Sequence, residues 1–167
     1  ADKTYILQFD YWMGDTGSAP AVARLRSITD QAQGANKFLR SVVTFQTNYP
    51  ITIVNGGGDS MVGYTASGQY TGWQNMKIEL KKGMSAGGDI AYRVYMNGSA
   101  TPLTDTWFST RQWNDAESKW YTGQTDEYRG FAFQIGAPYT NQTDKGFALD
   151  NLRFYEEGAP EPTPEPT

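Results

Sequence analysis

Cysteine and histidine are both absent from the 167 residues. Without cysteine there is no disulfide framework, no thiolate nucleophile and no Cys/His zinc site. Without histidine, a Ser-His-Asp triad and any imidazole general base are excluded. Long apolar runs are missing as well. No stretch approaches the ~20 residues that cross a bilayer as a helix, so no membrane partner is expected. Basic residues are in the minority, 14 Lys and Arg against 18 Asp and Glu, for a net charge of −4. Phosphate backbones demand a basic face, so no nucleic-acid partner is expected either. Helical periodicity is nearly absent, and only 30–37 has room for a helical turn.

What the chain does contain is strand pattern and aromatic rings. It has 11 Tyr, 8 Phe, 5 Trp and 18 Gly. Between Lys3 and Met13 the residues Tyr5, Leu7, Phe9, Tyr11 and Met13 alternate with Gln8, Asp10 and Trp12, the period of a half-buried strand. Further strands are predicted over 20–28, 38–47 (Leu39, Val43 and Phe45 inward) and 51–54. From 73 to 80, Met76, Ile78 and Leu80 oppose Trp73, Asn75, Lys77 and Glu79. Ile90, Tyr92, Val94 and Met96 form one side of the next strand, which ends at Asn97-Gly98, a hairpin-type turn. Strands over 131–135 and 147–155 complete the set. Eight to ten strands at this spacing predict an all-β fold, an antiparallel β-sandwich, for a single domain over 1–157. Residues 158–167 read Gly-Ala-Pro-Glu-Pro-Thr-Pro-Glu-Pro-Thr. Proline at alternate positions predicts a disordered, extended linker, and such linkers join modules of secreted proteins.

Three of the five tryptophans fall within Trp107-Phe-Ser-Thr-Arg-Gln-Trp113-Asn-Asp-Ala-Glu-Ser-Lys-Trp120-Tyr121. Flat rings mixed with short hydrogen-bonding groups suit a ligand with apolar faces and a polar rim, and a sugar ring is the commonest such ligand. Trp113, Trp120 and Tyr121 are the expected stacking residues, and Trp107 belongs either with them or in the core. Arg111, Gln112, Asn114 and Asp115 are the expected hydrogen-bonding partners. Trp12 and Trp73 form a second candidate platform, since each sits on the polar side of its strand. They line a glycan-binding sheet face if that side is open, and the core if a second layer covers it. Tyr64, Tyr70, Tyr92 and Arg93 are candidates to extend such a face.

The opening Tyr5-Ile-Leu-Gln-Phe-Asp10-Tyr-Trp and closing Phe147-Ala-Leu-Asp150-Asn-Leu-Arg-Phe-Tyr resemble the first and last core strands of β-jelly-roll carbohydrate-binding modules. Trp73-Gln-Asn-Met-Lys-Ile-Glu-Leu and Tyr92-Arg-Val-Tyr-Met-Asn-Gly98 are similar to laminin-G and concanavalin-type lectin sandwiches. The resemblance spans roughly 3–156. It implies a jelly roll, an extracellular (bacterial) setting, and a monomeric non-catalytic module that binds a plant or microbial polysaccharide. Such a module is covalently linked to catalytic or other modules and targets an attached enzyme. The resemblance also places Asp150 where many jelly-roll modules ligate a structural Ca2+, with Asp10 as a second oxygen ligand. The alternative is that Asp150 hydrogen-bonds backbone at the edge of the core. No other cofactor is implied.

Two rival functions use the same residues. A protein-binding adhesin or scaffold module would use the aromatic cluster as an interface hot spot. A small glycoside hydrolase would need two carboxylates ~5–10 Å apart. The Glu-x-Asp-x-x-Glu signature of laminarinase-like sandwiches is absent, and nothing marks Glu79 with Asp89 or Glu127. A lyase would need a base such as Tyr95, with Arg93. Gly56-Gly57-Gly58 lacks the Gly-Lys-Ser/Thr of a phosphate loop and reads as a turn. Asn97-Gly-Ser and Asn141-Gln-Thr match the glycosylation sequon, which matters only in a eukaryotic secretory setting.

Overall fold

The computed structural model describes residues 3–13, 22–29, 39–46, 51–54, 62–65, 70, 72–82, 90–109, 113–114, 119–120, 128–135 and 147–159. They form strands without a helix: β1 (Thr4–Met13), β2 (Val22–Thr29), β3 (Leu39–Gln46), β4 (Thr52–Val54), β5 (Val62–Thr65), β6 (Gly72–Lys82), β7 (Ile90–Met96), β8 (Phe108–Ser109), β9 (Trp113–Asn114), β10 (Lys119–Trp120), β11 (Tyr128–Ile135) and β12 (Phe147–Glu156). The predicted helical turn at 30–37 lies outside the described residues.

Two five-stranded sheets carry the fold, one in the order β12-β1-β6-β7-β8, the other β11-β2-β3-β4-β5, and β9 and β10 make a separate short ladder. Every pairing is antiparallel. The chain leaves the first sheet after β1, builds β2 to β5, and returns for β6 to β8. β11 and β12 then add one strand to an edge of each sheet.

The alternation read from sequence decides which face is buried. Leu7, Phe9 and Tyr11 of β1 meet Met76, Ile78 and Leu80 of β6 and Tyr92, Val94 and Met96 of β7 in one core. Ala23, Leu25, Val43, Phe45 and Ile53 complete it from the other sheet. Aromatic rings stitch the layers: Tyr11 lies 4.7 Å from Phe45, and Phe9 meets Phe133 edge-on at 5.1 Å. Full burial of each such side chain contributes about 1.5–3 kcal/mol. The result is a β-sandwich-like, all-β arrangement.

Two irregularities have functional weight. In β3, Leu25 pairs with Val43 but Arg26 pairs with Ser41, so Val42 is the extra residue of a bulge. Its carbonyl accepts the Tyr92 hydroxyl from the opposite sheet at 3.2 Å. In β12, Asp150 and Arg153 pair with Asp10 and Gln8, which leaves Asn151 and Leu152 opposite Phe9 alone. Asn151 sits at φ 51, a left-handed conformation that asparagine tolerates better than most residues. The turn after β7 has Asn97 at φ 52 and Gly98 at φ 72, with Ser99 N–H donating to the Met96 carbonyl. Two positive φ values in succession make it type I′.

β12 ends in a turn where Ala159 N–H donates to the Glu156 carbonyl, with Gly158 at φ 84. The remainder of the Pro-rich tail, 160–167, lies outside the described residues.

Candidate functional site

The alternation that buries one face of the first sheet leaves the other partly open, with Ile6 and Tyr95 on it still buried. Strand by strand, this outer face carries Tyr155, Arg153, Asp150 and Ala148 on β12, and Ile6, Gln8, Asp10 and Trp12 on β1. It continues with Glu79, Lys77, Asn75 and Trp73 on β6, and with Arg93 and Tyr95 on β7. Trp12 is directly opposite Trp73. Trp73 is 57% exposed and Trp12 half-buried. Of the two readings open from sequence, the core placement therefore fails for Trp73: its ring faces solvent.

Beside the tryptophan pair runs a directed chain of hydrogen bonds. The Tyr155 hydroxyl donates to Gln8 Oε1 (3.1 Å), Gln8 Nε2 to Asn75 Oδ1 (3.2 Å), and Asn75 Nδ2 to Asp10 Oδ1 (2.7 Å). Asp10 Oδ2 accepts Asn151 Nδ2 at 2.7 Å. The carboxylate, which only accepts, ends the chain and fixes the sense of each amide. Sequence separations of 65 to 147 residues hid this network; only Gln8, Asp10 and Asn75 were visible as neighbours of the tryptophans.

Further along the face, Lys77 Nζ lies 4.3 Å from the Tyr95 ring centroid, and the Arg93 guanidinium 4.5 Å from that of Trp107. Trp107, half-buried, thus belongs with the outer face and not with the core, which takes its neighbour Phe108. Tyr92, a candidate to extend this face, is instead fully buried. Two-residue parity requires this, because Tyr92, Val94 and Met96 share the inner side. Tyr95 is the outward tyrosine of β7. Tyr70 is half-buried and packs against the core; the Tyr64 side chain lies outside the described part.

The cluster itself is partly visible. Trp113 and Trp120 are direct register partners of the short β9–β10 ladder, as are Asn114 and Lys119. The side chains of Trp113, Asn114 and Trp120 lie outside the described part, and Arg111, Gln112, Asp115 and Tyr121 lie outside the described residues altogether. Three residues lie between Ser109 and Trp113, so their Cα atoms are within about 14 Å of each other.

Of the catalytic candidates, Tyr95, Arg93 and Glu79 lie on the described face. Burial, and then the 2.6 Å bond it donates to Glu79 Oε2, push the Tyr95 hydroxyl above its ordinary pKa, with Arg93 acting in the opposite sense. A tyrosine base needs the opposite shift. Glu79 is taken up by that bond, and its expected carboxylate partners, Asp89 and Glu127, lie outside the described residues. The calcium expectation meets a similar difficulty. Asp10 and Asp150 are register partners, but Asp10 accepts two amide N–H groups and Asp150 Oδ1 accepts its neighbour's backbone N–H at 2.8 Å. Calcium needs roughly six to eight oxygens, and no group of three carboxylates gathers among the described residues.

Comparison with known families, characterised proteins and solved structures found no match for this chain. The reading of function therefore rests on the outer face.

Proposed function

We propose that this chain is a non-catalytic carbohydrate-binding module that holds a linked extracellular enzyme against a plant or microbial polysaccharide. The carrying observation is the Trp12–Trp73 cross-strand pair, with Trp73 open to solvent, flanked on the same face by the Gln8–Asn75–Asp10 row. Indole faces take the CH side of a pyranose, and fixed amides and carboxylates take its hydroxyls. Trp107, beside Arg93 on the same face, extends the platform, and Trp113, Trp120 and Tyr121 remain the expected further stacking residues. In this reading the sheets form a jelly roll, and the Pro-rich tail spaces the monomeric module from its neighbours. Affinity of a single site of this kind is about 4–8 kcal/mol, and several linked sites raise it through effective concentration.

The test is retardation in native gels containing neutral and acidic polysaccharides. Retardation by at least one glycan, weakened in Trp73→Ala, is expected. No retardation by any glycan refutes the proposal, and release of reducing or unsaturated ends by the purified chain replaces it with an enzyme.

One observation favours a protein partner as the second reading. Leu152 and Phe154 on β12, the edge strand of its sheet, are 57% and 56% exposed. An apolar edge strand is a surface on which another chain can pair.

A further inference from the structure

We propose that the polysaccharide is anionic, with a carboxylate or sulfate of one sugar seated between Lys77 and Arg93. This rests on the outer face being the glycan platform and adds the ligand's chemistry. Glu79 and Arg93 are direct cross-strand partners, the place where an ion pair ordinarily forms. It does not form. Glu79 Oε2 takes the Tyr95 hydroxyl at 2.6 Å. Arg93 lies over the Trp107 ring, with Nη2 donating to the Asp105 carbonyl at 3.0 Å. Its Nε is buried with no hydrogen-bond partner.

Lys77 is in the same state. It rests on the Tyr95 ring. Register makes Lys77 and Arg93 diagonal neighbours, about 7–8 Å apart at the backbone. Neither cation has a direct carboxylate partner among the described residues: Lys77 rests on an aromatic ring, and Arg93 reaches Glu79 only through the Tyr95 hydroxyl on which both act, in a chain of net charge −4. A planar guanidinium with spare N–H donors suits a carboxylate or sulfate.

The next row limits how dense the negative charge can be. Asp10 and Asp150 lie one step of about 7 Å further along the strands. They disfavour duplex DNA, with one phosphate per ~1.7 Å of axis, more than a chain with one anionic group per ring.

The experiment is retardation of the full chain in native gels containing polygalacturonate, a sulfated galactan, neutral xylan, neutral glucan or double-stranded DNA. Mobility is normalised to a gel without polymer, and Lys77→Gln and Arg93→Gln run beside the parent. The expected result is retardation by polygalacturonate or the sulfated galactan, whichever carries the matching group, with affinity lowered about tenfold in each variant. Retardation by neutral glycans alone overturns the anionic assignment and leaves the carbohydrate reading standing. Retardation by no polysaccharide overturns both. Anionic retardation unchanged in both variants, or matched by DNA, overturns the Lys77–Arg93 seat. A urea midpoint for each variant equal to the parent's shows that the fold is intact.

Discussion

Two buried tyrosines should respond oppositely to the same substitution. Tyr11 and Tyr92 are both fully buried. The Tyr92 hydroxyl satisfies the Val42 bulge carbonyl across the sandwich, whereas the Tyr11 hydroxyl has no hydrogen-bond partner among the described residues. Tyr92→Phe removes that bond and strands a buried carbonyl, at a cost of about 1–2 kcal/mol. Tyr11→Phe removes a hydroxyl that is desolvated without compensation, and should gain about 1 kcal/mol. The rings around it, Phe45 at 4.7 Å and Phe147 at 6.0 Å, are undisturbed. Urea unfolding measures both, as shifts in midpoint at constant m. Alkaline pH adds a second readout. Burial, followed by Tyr70, raises the Tyr11 pKa above its ordinary 10.0. The unfolded chain therefore loses the proton first, and stability present below pH 10 falls as pH rises beyond it. Tyr11→Phe should flatten that decline. If Tyr11→Phe costs more than 1 kcal/mol, roughly the size of one hydrogen bond, or leaves the alkaline slope unchanged, the hydroxyl has a partner and the reasoning fails.

Other outcomes follow from the same packing. Phe45→Ala, at the centre of the aromatic core, should cost about 3–5 kcal/mol by urea unfolding. Asp10→Ala strands the Asn75 and Asn151 amides and should cost about 1–2 kcal/mol, with loss of their slowed amide-proton exchange in NMR spectra. Trp73→Ala, at an exposed position, should change stability by no more than about 0.5 kcal/mol. With both Asp10 oxygens taken by asparagine amides, a chelator should leave Tm unchanged; a fall of several degrees would reveal a stabilising ion.

Much of the fold is legible in single residues. Leu7, Phe9 and Tyr11, or Met76, Ile78 and Leu80, alternate with polar side chains, and the structure buries the expected set. The short strands were harder to see. β5 spans four residues, and β9 and β10 two each, too few to establish a period. Tyr92 shares the parity of Val94 and Met96, which places it in the core and not on the outer face. The Trp12–Trp73 pair was visible only as two tryptophans on polar sides. That they are opposite depends on the β1–β6 register, which no local pattern encodes. The same holds for Arg93 over Trp107 and for Asp10 between Asn75 and Asn151. The left-handed Asn151 and the bulge at Val42 are consequences of pairing and leave no separate mark in the chain.

The most direct test of the outer-face site is calorimetric titration of an oligosaccharide from whichever polysaccharide retards the chain, into the parent and Trp73→Ala. A sugar covering about 100 Å2 of the exposed indole gains roughly 2.5 kcal/mol. Affinity should therefore fall at least tenfold in Trp73→Ala, with the urea midpoint unchanged. Unaltered affinity in Trp73→Ala, with binding abolished by Trp113→Ala or Trp120→Ala, would contradict the account and move the site to the β9–β10 hairpin.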